Sequence, residues 1–208
     1  MSNQIKSFLR NKRGSTAAEF AMVLPILILF LLGMTDVGRF MWTMNRAEKA
    51  SQMGVRFASV TDTIPSGLKN YDFSGTAGLT SGDIVPATAY STMTCGKTDA
   101  NAPETCACVS GGSCPWGTSV QPDAFSHVVN QMAKFLPEMR ASNLQVAYVP
   151  SGLGYAGDPN GSDISPLVRV TITGLKFRPF FLFGAATLTL PDISASLTME
   201  DGIGSQSN

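Results

Sequence analysis

The residues of this 208-residue chain that could take part in chemistry begin at Arg13-Gly14-Ser15-Thr16-Ala17-Ala18-Glu19-Phe20, which leads into an apolar run reaching Met34. A carboxylate at the edge of so apolar a segment is costly without a partner. Hydrolysis of the peptide bond after Gly14 would supply one. The new amine on Ser15 has a pKa near ~8 and is mostly cationic at neutral pH. Glu19 then lies roughly 6 Å along a helix from that amine, at about 1.5 Å of rise per residue. It can neutralise its own terminus or that of a chain packed beside it. In this chemistry the chain is the substrate: Gly14 has no side chain to keep extended backbone out of a protease, and Lys12 and Arg13 hold the site at the membrane face.

The second set is thiol chemistry. Cys95, Cys106, Cys108 and Cys114 are the chain's four cysteines, and Pro115-Trp116 follow at once. A C-x-C flanked by intervals of eleven and six residues does not fit a zinc-knuckle pair. Redox catalysis asks for C-x-x-C at a helix start, a pattern not found here. An even count in an exported segment reads as two disulfides. Three connectivities are open. A bridge across C-x-C would be strained, so Cys106 and Cys108 are each expected to take an outer partner, their thiols pointing the same way from an extended strand.

Three further patterns carry weaker chemistry. Gly152-Leu153-Gly154-Tyr155-Ala156-Gly157 spells a dinucleotide fingerprint, but Asp158-Pro159-Asn160-Gly161 is a turn where a helix must open. Asp158, Asn160 and Asp163 suggest a calcium loop, yet Arg169 stands where its final glutamate belongs, and a hairpin loop is the better reading. His127, the single histidine, borders an apolar helix face with no nucleophile tied to it by sequence. The expectation is a chain that is not an enzyme and holds no metal or cofactor. Fifteen basic and fifteen acidic residues give no global field for nucleic acid.

These residues need elements to position them. Residues 1–14 carry Lys6, Arg10, Lys12 and Arg13 and no acid, which keeps this end in the cytoplasm. An ordinary signal peptide would want a small-x-small site after the run, and Leu32-Gly33-Met34-Thr35-Asp36 supplies a poor one. An uncleaved single-span anchor is the stronger alternative. From Ser15 to Met34 is about 20 residues, roughly 30 Å of helix, the thickness of a hydrocarbon core. Pro25 inside it predicts a kink or melted turn, or a harmless membrane proline. Helical spacing persists to about Ser59 along Val37, Phe40, Met41, Met44, Ala47, Ser51, Gly54, Val55 and Ala58. Asp36 and Arg39, three apart, share a face at the outer membrane boundary and read as an interfacial anchor.

Residues 61–120 are rich in Gly, Ser, Thr, Pro and Asp. They predict a loop region with at most one short strand, held by its cysteines rather than by a core. From 121 to 208 the pattern predicts a helix opening at Pro122, with Phe125, Val128, Val129, Met132, Phe135 and Leu136 on one face. Strands follow near residues 143–149, 167–175 and 193–200. Phe177 to Phe183 is an aromatic patch, read equally as a subunit or membrane-surface contact and as a loop covering the core. The fold class is α+β: a long N-terminal transmembrane and amphipathic helix, then a small head with one further helix packed on a short antiparallel sheet.

Gly14 with Glu19-Phe20 at the fifth and sixth positions after it resembles the processing site of type IV prepilins, the Flp/Tad branch in particular. Thr35-Asp36-Val37-Gly38-Arg39-Phe40, continued by Ala47, Ala50 and Gly54-Val55-Arg56, resembles the TadE-like family of minor pilins, or pseudopilins. Its members commonly show Asp-x-Gly-Arg after the membrane helix and Gly-Ala-Arg further on. Here the latter reads Gly-Val-Arg, and Ser51-Gln52 stands where small residues are more usual. The resemblance covers residues 1 to about 60. It implies a subunit cut by a prepilin peptidase between Gly14 and Ser15 and assembled through Glu19 and Phe20. Its partners would be other pilin and minor-pilin subunits, an inner-membrane assembly platform and membrane lipid. It also implies a single-pass protein of the bacterial inner membrane with a periplasmic head, available for an extracellular pilus. Starting, capping or modulating the filament suits so large a head better than serving as its bulk subunit.

Overall fold

The computed structural model describes residues 15–76, 78–159, 161–181, 187–200 and 204. Helix α1 runs Ser15–Val60, 46 residues, with Pro25 inside it. In lipid the backbone must satisfy its own polar groups, so an apolar run of this length has only the helix open to it. The helix continues through Pro25 with no melted turn. It ends where hydroxyls begin to answer its last carbonyls: Ser59 Oγ donates to the Arg56 carbonyl at 3.0 Å and Thr61 Oγ1 to that of Phe57 at 2.8 Å.

The chain divides into two compact units. One joins Met1–Trp42 with Phe177–Leu188, and the other joins Thr43–Lys176 with Thr189–Asn208.

In the larger unit an antiparallel sheet of five strands is ordered β2-β1-β3-β4-β7. Its strands are β1 (Met93–Gly96), β2 (Thr105–Cys108), β3 (Leu144–Val149), β4 (Leu167–Ile172) and β7 (Ile193–Thr198). Two short strands, β5 (Lys176–Phe177) and β6 (Leu188–Thr189), form a separate pair. Alternation sets the faces. Leu144, Val146 and Tyr148 on β3, and Val168, Val170 and Ile172 on β4, are all buried. Helix α2 (Pro122–Ala133) has proline in its first turn beside Asp123, as the electropositive end of a helix favours. It buries Phe125, Val128 and Met132, while Val129 and Phe135 stay half-buried.

The upper part of α1 closes against the α2 region. Ala47, Ala50, Ser51, Gly54, Val55 and Ala58 are buried. A Cβ on Gly54 would collide with the Met132 thioether. Arg46 donates to the Phe135 carbonyl at 3.0 Å and pairs with Glu138 at 2.9 Å. Val37 and Met41, expected on the buried stripe, are exposed instead. In the absence of a partner element a 3.6-residue spacing does not tell a head-facing stripe from a lipid-facing one.

The segment 61–120 departs from expectation. It contributes two strands rather than one, and Ile64, Leu68, Phe73, Val85, Tyr90 and Met93 are all core residues. They stand singly in irregular backbone, so no period announced them. The Ile64 N–H donates to the Tyr148 hydroxyl at 3.0 Å. Burial pushes that phenol above the ordinary tyrosine range, so the hydroxyl stays neutral.

Candidate functional site: the helix, its carboxylates and the cysteine clamp

Gly14 lies outside the described residues, so the proposed scissile bond has no structural description. Ser15 opens the range of α1. Glu19 and Phe20 follow on exposed helix surface, succeeded by Met22, Val23, Ile26 and Leu29, also exposed. A face of this composition is built for lipid or for neighbouring helices. Gly33 and Gly38 cut a shallow apolar notch into it, bordered by Leu29, Phe30, Met34 and Val37. A Cβ on Gly38 would meet nothing within 4 Å, so the space beside it is open. This helix alone is long and apolar enough to cross a membrane among the described residues.

Asp36 does more than pair with its neighbour. It is only 2% exposed. Its two oxygens accept the backbone N–H groups of Phe180 at 2.9 Å and Phe181 at 2.7 Å. Arg39 approaches the same carboxylate at 3.4 Å and lays its guanidinium 3.7 Å over the Phe180 ring. Phe40 meets the Phe177 ring edge-on at 5.5 Å. The reading of Asp36 and Arg39 as a simple interfacial pair is therefore corrected: Asp36 clamps a returning loop, and Arg39 stacks on it. Sequence could not show this, because the loop arrives 144 residues later.

The cysteines pair as Cys95–Cys106 and Cys108–Cys114. Cys95 and Cys106 stand opposite each other in the β1–β2 ladder, and the second bridge closes the turn that follows β2. Each central cysteine takes an outer partner. Loops of this length restrict the unfolded chain enough to contribute about 2–3 kcal/mol per bridge. Cys95→Ser combined with Cys106→Ser should lower the urea midpoint by that amount. An unchanged midpoint would show that the β1–β2 ladder holds without its clamp.

The remaining patterns have structural tasks. Gly152, Gly154 and Gly157 all adopt positive φ within the β3–β4 connection, and no helix follows them. Asp163, 4% exposed, accepts N–H groups from Phe73 at 2.7 Å, Gly157 at 2.8 Å and Asp158 at 3.0 Å. Its carboxylate stitches two loops together instead of facing a cation, and this role was missed from sequence. His127 is half-buried on α2. Among the described residues no group of three or more His, Cys, Asp or Glu could hold a metal ion.

Residues 14–56 match the family model described as TadE-like protein. The chain carries a TadE-like domain. That domain contains Gly14, Glu19, Asp36 and Arg39 and closes on Arg56. No curated protein and no solved structure matches the chain. The TadE-like domain implies association with a pilus system, and a single apolar helix is compatible with a membrane-anchored pilin.

Proposed function

We propose that this chain is a minor pilin of a Flp/Tad-type pilus. A prepilin peptidase cuts it between Gly14 and Ser15, and it joins a filament or its base through α1. One observation carries the reading: the TadE-like match begins at Gly14 and runs along a single helix that presents Glu19 and an exposed apolar face. After cleavage Glu19 offsets the amine of Ser15 on its own or a neighbouring subunit, and the notch at Gly33 and Gly38 allows close helix packing. The head is held in the periplasm and acts in starting, capping or modulating the filament, in company with other pilin subunits and an inner-membrane platform. Its role is structural rather than catalytic. Support comes from the positions of its reactive groups: four thiols are closed in bridges, and the buried Asp163 is occupied by backbone amides.

N-terminal sequencing of membrane-extracted protein tests the proposal. It should begin at Ser15, and Gly14→Leu should leave full-length precursor. A wild-type N-terminus at Met1 would favour an uncleaved envelope protein, and one beyond Met34 a signal peptide.

A further inference from the structure

We propose that the loop Arg178–Phe181 is a second membrane contact, an aromatic anchor seated in the headgroup–acyl boundary beside the outer end of α1. The proposal rests on the reading of α1 as a membrane anchor. Three independent features lead to it.

The first is depth. Asp36 lies two residues past Met34, where the apolar run ends, or roughly 3 Å of helical rise. Because Asp36 holds the Phe180 and Phe181 amides within 2.9 Å, the loop is fixed at the level where lipid gives way to water.

The second is the state of its backbone. Pro179 has no N–H, and the N–H groups of the next two residues are both bound to the buried carboxylate. Residues 179–181 therefore present no unpaired backbone donor. Such pairing is what a segment entering a low-dielectric layer requires, whereas a loop in water has no need of it. Side chains add to this: Phe180 is 69% and Phe181 48% exposed, although Phe177 beside them is buried.

The third is charge. Arg178 is exposed and the Arg39 side chain is 36% exposed, while the acid between them, Asp36, is buried. Two outward cations flanking two outward phenylalanines complement a phosphate layer above acyl chains. A protein groove would have to match an apolar pair and two charges at this same height.

Photocrosslinking of the full-length chain tests the assignment. Benzoylphenylalanine replaces Phe180 in one variant, Phe30 in a second and Val109 in a third. Each is reconstituted in vesicles of phosphatidylethanolamine and phosphatidylglycerol and irradiated. The Phe180 and Phe30 variants should each gain the mass of one phospholipid, and the Val109 variant should gain none. Lipid adducts at Phe30 with only chain-to-chain adducts at Phe180 would overturn the anchor and assign the loop to a second copy. Lipid at Phe30 with no adduct at Phe180 would overturn it in favour of a solvent-facing loop. No lipid at Phe30 would remove the membrane reading itself, and the anchor with it.

Discussion

Glu19→Gln should be cut at Gly14 as efficiently as the wild type and yet fail to support pili. Cleavage depends on the backbone around Gly14 and on the basic leader, neither of which the substitution touches. Assembly depends on a charge. An unpaired carboxylate at mid-bilayer costs roughly 3 kcal/mol on insertion scales, and less near the interface where Glu19 lies. Pairing with a cationic N-terminus turns that penalty into an attraction, whereas the neutral amide of glutamine has no charge to pair. If the lost pairing amounts to only about 1.4 kcal/mol per subunit, incorporation falls about tenfold. Pili would be counted by electron microscopy in cells whose only copy is the variant, with processing followed by mass. Wild-type piliation would make the carboxylate dispensable and remove the main physical support for the assembly role.

Asp163→Ala should be the most damaging single change in the head, lowering its stability by about 3–5 kcal/mol. The carboxylate receives three backbone N–H groups, from Phe73, Gly157 and Asp158, and Phe73 is fully buried. Hydrogen bonds to an ionised acceptor contribute about 1.5–3 kcal/mol each, and a buried donor left unpaired costs about 1–3 kcal/mol. Water can reach the two part-buried amides, so the sum is less than three full penalties. Against a total of about 5–15 kcal/mol for a folded domain, the loss is severe. Asp163→Asn keeps one acceptor oxygen but turns an NH2 group towards the donors, so it should fall between alanine and wild type. Urea titration followed by the fluorescence of buried Trp116 gives the measurement. A loss under about 1 kcal/mol would show that the loops hold without this carboxylate and that its conserved charge state serves the adjacent cleft.

That cleft, lined by Asn70, Asp72, Asp158 and Asp163, shows how a short pattern can mislead. Spacing alone made Asp158 and Asp163 resemble cation ligands. Their actual partners are backbone amides, one of them 90 residues upstream. Gly154 belongs to the same construction. Its φ is +125°, and a Cβ there would run into the backbone of Asp163 and Ile164, so glycine is required by the crossing of two loops rather than by a phosphate.

The sequence by itself determined the features that are local or periodic. An apolar run of about 20 residues can only be a helix in lipid, so α1 and its length were legible, as was the TadE-like block from Gly14 to Arg56. Alternation in Val168, Val170 and Ile172 predicted β4, and the amphipathic stripe after Pro122 predicted α2. Even the cysteine pairing was constrained, since a bridge within C-x-C is unfavourable. The tertiary structure decided whatever depends on residues far apart in the chain. It made Ile64, Leu68 and Phe73 core residues although nothing periodic surrounds them, and it added β1 and β2 to the edge of a sheet whose other strands lie downstream. It also gave Asp36 its task, because a carboxylate binds whichever amides the fold delivers, and these come from Phe180 and Phe181. Local energetics are written in neighbouring residues, whereas the partners of a buried polar group are chosen only when the chain has closed around it.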